Sequence, residues 1–344
     1  MSRSFTKIKA SIFAILLITA FAGIGVSQNP PMPDKKPAPK PRQEPMPSLP
    51  VTPPAGTKGT FEKSIATDPR VSVSLCVVEG NVNVNGWSRN EVRIFVREGS
   101  KVGFKVLQKS RQSESPVWIM AVGYEPKGPG MQTNECIWGE NVDIDVPTGA
   151  SVSIKGKETT TIIDSIRKAE IRNVGGDIVV RNVTEGVTAS TYRGDVAVEK
   201  VDGAMSLESS TGNMLASEVG PSQVGDVFRA KTNGGAISLQ GLQHRDVDVN
   251  SISGSVLYDG TFFGGGSYSF RTTNGSIVLS LPQDVSCKFI ATYGFGNFRS
   301  DLPFKPMTEN IEPNNIKRIT GSIGAGDATL NLTTSYGQIV IKKQ

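Results

Sequence analysis

Thr191-Tyr-Arg-Gly194-Asp-Val196-Ala-Val198 is followed by Ser209-Ser-Thr-Gly212-Asn-Met214-Leu-Ala216, and the same pattern keeps returning. It recurs as Thr232-Asn-Gly-Gly235-Ala-Ile237-Ser-Leu239, Ser251-Ile-Ser-Gly254-Ser-Val256-Leu-Tyr258 and Thr272-Thr-Asn-Gly275-Ser-Ile277-Val-Leu279. A last copy is Thr334-Ser-Tyr-Gly337-Gln-Ile339-Val-Ile341, and weaker copies surround Gly80, Gly176 and Gly296. The unit is Ser/Thr-x-x-Gly-x-φ-x-φ, with φ apolar. From Gly176 the glycines follow at intervals of 18, 18, 23, 19, 21, 21 and 41, the last near two periods. Alternation of apolar and polar residues means strands with one buried face. A unit of about 20 residues built from such strands cannot bury its own apolar side, so it must stack on its neighbours.

These residues predict an all-β, single-stack β-solenoid with a repeat of about 18–23 residues. Val196, Met214, Ile237, Val256 and Ile277 should form one internal column at ~4.8 Å spacing. The glycine is expected to serve a turn, through φ > 0 or a close backbone approach. The Ser/Thr three residues earlier should form a hydroxyl ladder or cap the turn. A β-sandwich is the main competitor, but its strands do not normally repeat one motif at one spacing.

The repeats, together with Val142-Asp-Ile-Asp-Val-Pro-Thr-Gly-Ala-Ser-Val152, Gly86-Trp-Ser-Arg-Asn-Glu91 and the closing Gly321-Ser-Ile-Gly324-Ala-Gly326, resemble the bacterial β-strand-repeat family of putative adhesins. The resemblance spans most of residues 70–344. It implies a β-solenoid outside the cytoplasm and carries over no catalytic residue. Residues 108–135, with Trp118 and Tyr124, depart from the pattern and read as a loop inserted on the early rungs.

Ahead of the body, 1–344 divides by composition. Arg3, Lys7 and Lys9 precede the apolar run Ile12–Ile18, with small residues at Ala20-Phe21-Ala22 and Gly25-Val26-Ser27. Residues 1–27 therefore read as a secretory signal peptide. An uncleaved anchor is the rival, with an apolar stretch at the short end for a membrane span. Residues 28–60 hold 11 of the 21 prolines and read as an extended, proline-rich linker. The body is then 61–344.

The chain has 37 Lys+Arg against 32 Asp+Glu, a net of +5. Residues 1–27 contribute +3, and residues 28–60 contribute 5 − 2 = +3, leaving the body at 29 − 30 = −1. A neutral body gives no basis for holding a phosphate backbone, so no nucleic-acid partner is expected. A single His excludes a multi-histidine zinc centre. No cofactor or metal set is expected, and no transmembrane segment in the mature chain.

Asp177 and Asp195 share a motif position on consecutive rungs. They could bind Ca²⁺ or form an acid–base pair, as in carbohydrate-active β-helix lyases and hydrolases; the plainer reading is a polar residue beside a turn. His244, within Gly241-Leu-Gln-His-Arg-Asp246, reads as a solvated turn residue, with a dyad to Asp246 or Asp248 as the alternative. Cys76 and Cys136 both fall on early rungs and could pair, leaving Cys287; three buried free thiols is the other reading. Binding candidates are the aromatics placed at turns or loops, chiefly Trp118, Tyr124, Tyr192 and Tyr268, with Phe262, Phe263, Tyr293 and Tyr336. The final Gln338–Gln344, ending in two lysines, suits a charged edge that resists end-to-end growth.

The functional expectation is an exported, non-enzymatic, adhesin-like or scaffold module, extracytoplasmic, meeting an envelope or surface protein or a polysaccharide. The alternatives are a carbohydrate-active β-helix enzyme and an envelope-stress signalling component.

Overall fold

The computed structural model describes residues 59–124, 135–312 and 316–344. The expected signal peptide, the linker up to residue 58 and residues 125–134 of the expected insert lie outside them. The first strand, Gly59–Ala66, opens two residues ahead of the expected body.

The described chain is all-β, a parallel stack of two-strand rungs. Strands that lead into the motif glycine form one face, here face A: Lys168–Gly175, Val187–Arg193, Met205–Thr211, Val227–Gly234, Asp246–Ser253 and Ser267–Asn274. Strands that follow it form face B: Ile178–Val183, Val196–Asp202, Met214–Gly220, Ile237–Gln240, Val256–Asp259 and Ile277–Leu281. On face B, Val196 pairs with Met214, Met214 with Ile237, Ile237 with Val256 and Val256 with Ile277. All five are buried, and the column continues through Ile178 below and Ile339 above. Face A supplies the opposing column Val187, Met205, Phe228, Val247, Tyr268 and Leu330. The core is thus a pile of aligned side chains, each layer covering the next.

The glycine corner between the faces is set by close approach, joined by a positive φ at Gly176, Gly194, Gly235 and Gly337 but not at Gly212 or Gly254. A Cβ on Gly212 would lie 1.9 Å from the Gly194 carbonyl oxygen, and one on Gly254 1.9 Å from that of Gly235. Neither residue has a left-handed φ, so rung spacing, and not turn geometry, excludes a side chain there. The expected hydroxyl ladder is present and locks this corner. Thr191, Ser209, Thr232, Ser251, Thr272 and Thr334 each donate to the corner glycine carbonyl of the rung beneath, at 2.8–3.3 Å. Asn173 takes the same role one rung earlier, its Nδ2 donating to the Thr159 carbonyl at 2.9 Å.

A second corner has no counterpart in the sequence reading. Ser165, Asn182, Lys200 and Glu218 stand one above another with φ of 58, 52, 54 and 52°, and Gly241 continues the line at 62°. Each kinks face B so that the next residue, such as Val183, Val201 or Val219, turns back into the core.

Both ends of the stack depart from chain order. The long strand Ser72–Trp87 lies between Ser151–Asp164 on one side and Pro116–Tyr124 with Asn141–Pro147 on the other. At the other end, Ala328–Tyr336 slots between Ser267–Asn274 and Cys287–Phe295, and Ile339–Lys343 between Ile277–Leu281 and Phe298–Ser300. The interval of 41 between Gly296 and Gly337 is therefore one rung plus an excursion. The chain passes through Lys305–Glu312 and Ile316–Ile323, an antiparallel pair that caps Cys287–Phe295, before turning back.

This corrects two expectations. The C-terminal strand is internal over residues 339–341, with Lys342 and Lys343 running past Phe298–Ser300, so it is not the strand that guards the edge of the stack. The outermost strands do: Lys101–Lys109 carries three lysines and broken register, and Lys305–Glu312 carries Lys305, Pro306 and a register shift. Residues 108–124, read as loop, instead complete Lys101–Lys109 and form Pro116–Tyr124, whose antiparallel pairing closes the N-terminal end. Trp118 and Tyr124 therefore sit on a strand.

Candidate functional site

The weaker sequence candidates resolve quickly. Asp177 Oδ1 accepts the Asp195 backbone N–H at 2.8 Å, and Asp195 Oδ1 accepts that of Asn213 at 2.7 Å. Asn213 Oδ1 then accepts from Ala236 N–H at 3.0 Å. Each side chain holds the next rung's backbone, which ties one oxygen of each carboxylate into the stack. No group of three or more metal-ligating side chains occurs among the described residues.

His244 is buried, which corrects its reading as a solvated turn residue. Leu242 and His244 point inward while Gln243 and Arg245 point outward, so the strand alternation carries through the turn. Its Nε2 meets the Gly203 carbonyl at 2.8 Å, its ring lies 5.8 Å from that of Phe228, and Nδ1 has no partner. Burial pushes its pKa down. Tyr268 is likewise a core residue and not a surface ring. It lies in the face A column beside Val247, donates to the His244 carbonyl at 3.2 Å and accepts from Phe263 N–H at 2.9 Å. Burial pushes the Tyr268 and Tyr258 hydroxyls up, away from ionisation.

Of the remaining aromatics, Trp118, Tyr124, Tyr192 and Tyr336 are exposed, and Phe262 and Tyr293 are buried. The exposed ones do not converge: Tyr192 is on face A of the middle rungs, Trp118 and Tyr124 on the N-terminal cap, and Tyr336 stacks on Phe295 near the other end. Cys76 and Cys136 form a disulfide between the long N-terminal strand and the segment beside it, which removes the reading of three free thiols. Cys287 is a buried free thiol whose pKa burial pushes up to about 12.

Of the hollows on the middle rungs, the largest lies where the repeat is broken. On the edge opposite the glycine corner, face B returns to face A through loops of unequal length. The loop Gly220–Asp226 accounts for the interval of 23 between Gly212 and Gly235. Two rungs on stands the loop from Gly260 to Gly266, with the shorter 241–245 turn between them. Together they enclose an open hollow of about 560 Å³ bounded by Gln223, Val224, Gln243, Arg245, Asp246 and Phe263.

Both walls are stiff. Asp226 is buried and accepts from Ser222 N–H at 3.0 Å, Ser222 Oγ at 2.9 Å, Gln223 N–H at 3.0 Å and Gln223 Nε2 at 3.3 Å. Burial pushes its pKa up, and these hydrogen bonds outweigh that and hold it below the usual range. The loop thereby presents Val224 fully to solvent. In the facing loop, Phe263 is anchored through its N–H to Tyr268 and through its carbonyl, which accepts from Gly266 N–H at 2.9 Å. Beneath it Phe262 packs on Tyr268 and Tyr258, with ring centroids 4.3 and 5.5 Å apart. Sequence reasoning named one residue of this hollow, Phe263, among the aromatic candidates but did not bring the loops together; their trace there is the lengthened intervals.

The two sheet faces differ outside as well. The outward line of face A carries Lys155, Arg172, Ser190, Glu208, Lys231, Asn250 and Arg271 in register. That of face B carries Ile162, Val179, Ala197, Leu215, Ser238, Leu257 and Val278. Face A is thus charged and hydroxylic, whereas face B sets a narrow, largely apolar line beside a polar one that includes Arg181, Glu199, Gln240 and Asp259.

A capped parallel β-solenoid with one looped edge is the class of protein these features define. The chain belongs to the Toastrack DUF4097 family, whose model matches residues 119–342. The resemblance to a bacterial β-strand-repeat family, drawn from the repeats, is borne out by that match, as is the β-solenoid fold. Among solved structures, the chain is similar to a putative cell adhesion protein from Clostridium sporogenes at 11% identity, covering 83% of this chain and 100% of that one, with a TM-score of 0.24. It is also similar to a putative adhesin from Bacteroides fragilis at 14% identity, covering 84% and 98% of the two chains, with a TM-score of 0.37. No curated protein matches. Superpositions this loose leave the assignment to the family match.

Proposed function

We propose that this chain is an exported, non-enzymatic module of adhesin-like or scaffold kind that meets a partner at the cell envelope through its solenoid surface. The observation that carries this reading is how the stack uses its polar groups. At the glycine corner, side chains of successive rungs bond the next rung's backbone, and the carboxylates a catalytic reading needs, Asp177 and Asp195, are held in that lattice. The stiff looped edge presents Val224, Gln243 and Arg245 to solvent. The Cys76–Cys136 disulfide supports an oxidising, extracytoplasmic compartment, where such bonds persist. The signal peptide expected at 1–27 is part of the same proposal.

Cell fractionation with N-terminal sequencing of the mature chain tests the location. Retention of the purified full chain on isolated envelopes tests the binding role. The enzyme alternative is tested on a polysaccharide panel with and without Ca²⁺, beside the double variant Asp177→Asn/Asp195→Asn. Turnover abolished in that variant overturns the non-enzymatic reading.

A further inference from the structure

We propose that the hollow on the looped edge is a saccharide site that takes a neutral pyranose unit; this rests on the binding-module reading above and names the ligand class. A pyranose presents an apolar C–H face and a rim of hydroxyls, each both donor and acceptor. The hollow offers a matching pair of surfaces. Val224, fully exposed on one wall, and the half-buried Phe263 on the other give apolar contact of the sort a sugar face covers. Gln223, Gln243, Arg245 and Asp246 give planar groups that bond adjacent hydroxyls: amides that donate and accept, a guanidinium that donates and a carboxylate that accepts.

Charge selects among ligands. Arg245 and Asp246 are neighbours of opposite sign, and the third charged residue lining the hollow, Asp226, is a buried carboxylate, so an anion gains little there. A metal cation gains little either, because the buried Asp226 carboxylate already accepts four hydrogen bonds. Size agrees: the walls stand two rungs apart, ~9.6 Å between backbones, wide enough for one ring and its hydroxyls. Stiffness adds to affinity. The Asp226 bonds fix one wall and the Tyr258–Phe262–Tyr268 cluster fixes the other, so binding has little loop entropy to overcome. The site is open on one side, as for a unit at the end or side of a longer glycan.

The test uses the full chain and saturation-transfer NMR with maltose, cellobiose, lactose and chitobiose, beside a sulfated disaccharide. At least one neutral sugar should bind, with Arg245→Ala and Phe263→Ala each weakening it roughly tenfold. Val174→Ser, at an exposed position of the Lys168–Gly175 strand away from the hollow, should leave it unchanged. Arg245 and Val224 are exposed, so Arg245→Ala and Val224→Ser read the site even where Phe263→Ala lowers stability. No neutral sugar bound, binding of the sulfated probe alone, or binding indifferent to Arg245→Ala overturns the proposal. Envelope retention is measured in parallel: retention without sugar binding overturns this site alone, and loss of retention overturns the module reading beneath it.

Discussion

The middle rungs and the two ends of this solenoid are built from the same motif under opposite constraints. In the middle, chain order and spatial order agree, and each rung templates the next. At the ends the first and last long strands are tucked one place inward, and the outermost positions go to antiparallel strands with lysines, proline and broken register. A parallel stack has open edges that invite another copy. The difference teaches that repetition supplies the stability and deviation from it supplies the boundary. It also says where each should fail.

The largest effect is expected at the N-terminal end, where the disulfide closes a 60-residue separation. By the chain-entropy relation, a loop of that size contributes about 4 kcal/mol. Replacing Cys76 and Cys136 with Ser, or adding reductant, should open the end locally while the middle stays folded. Amide hydrogen exchange would show it as loss of protection around Val73–Val77 with the Val196–Ile277 column unchanged. Uniform loss along the stack would mean the ends and the middle are one cooperative unit.

Second in size is the glycine corner of the middle. Gly254→Ala places a Cβ 1.9 Å from the Gly235 oxygen, backbone against backbone, and should cost about 3 kcal/mol. Gly225→Ala, on the loop beside the hollow, meets nothing within 4 Å and is opposed only by its φ of 94°, at about 1 kcal/mol. Urea unfolding of the two variants separates crowding between rungs from turn strain. Equal losses would refute the close-approach account.

The same contrast explains what could be read from sequence. Position seven before the motif glycine is an inner face A site in every middle copy: Val187, Met205, Phe228, Val247 and Tyr268. Aligning Tyr268 in that frame shows it to be core, whereas its place near a turn suggested a surface ring. His244 was hidden by polar neighbours, although Leu242-Gln-His-Arg alternates as a strand does. The left-handed corner was invisible because Ser, Asn, Lys and Glu occupy it in turn with no common chemistry. The end topology was illegible for a deeper reason. Gln338–Lys343 carries the motif and pairs equally well as a last rung or an inserted one, and what decides is the distant Cys287–Ser300 segment. The hollow left a lengthened interval and one aromatic candidate, Phe263, since the loops that line it follow no period.

Third comes the hydroxyl ladder. Thr232→Val keeps the shape and removes the 3.2 Å bond to the Gly212 carbonyl, at about 1 kcal/mol. Thr232→Ser should restore most of it, and a chemical-denaturation series checks both.

The smallest effect separates His244 from its repeat equivalents. Burial lowers its pKa, and the weaker pull of the Gly203 carbonyl, Asp226 and Asp202 does not restore it. Below the ordinary value of about 6.5 the unfolded chain therefore binds more protons than the folded one. Its stability contribution is complete above that pH and is lost as pH falls toward the lowered folded value. The physical cause is burial of the ring, which penalises its charged form, and among the described residues no acceptor meets Nδ1 to offset that. The melting temperature of the full chain should fall between pH 7 and pH 5, and His244→Phe, which keeps a ring against Phe228, should flatten that slope. An unchanged slope in the variant would assign the acid sensitivity to the buried Asp226 carboxylate instead, whose hydrogen bonds hold its pKa below the usual range and are lost with its charge, moving it from the core ring to the looped edge.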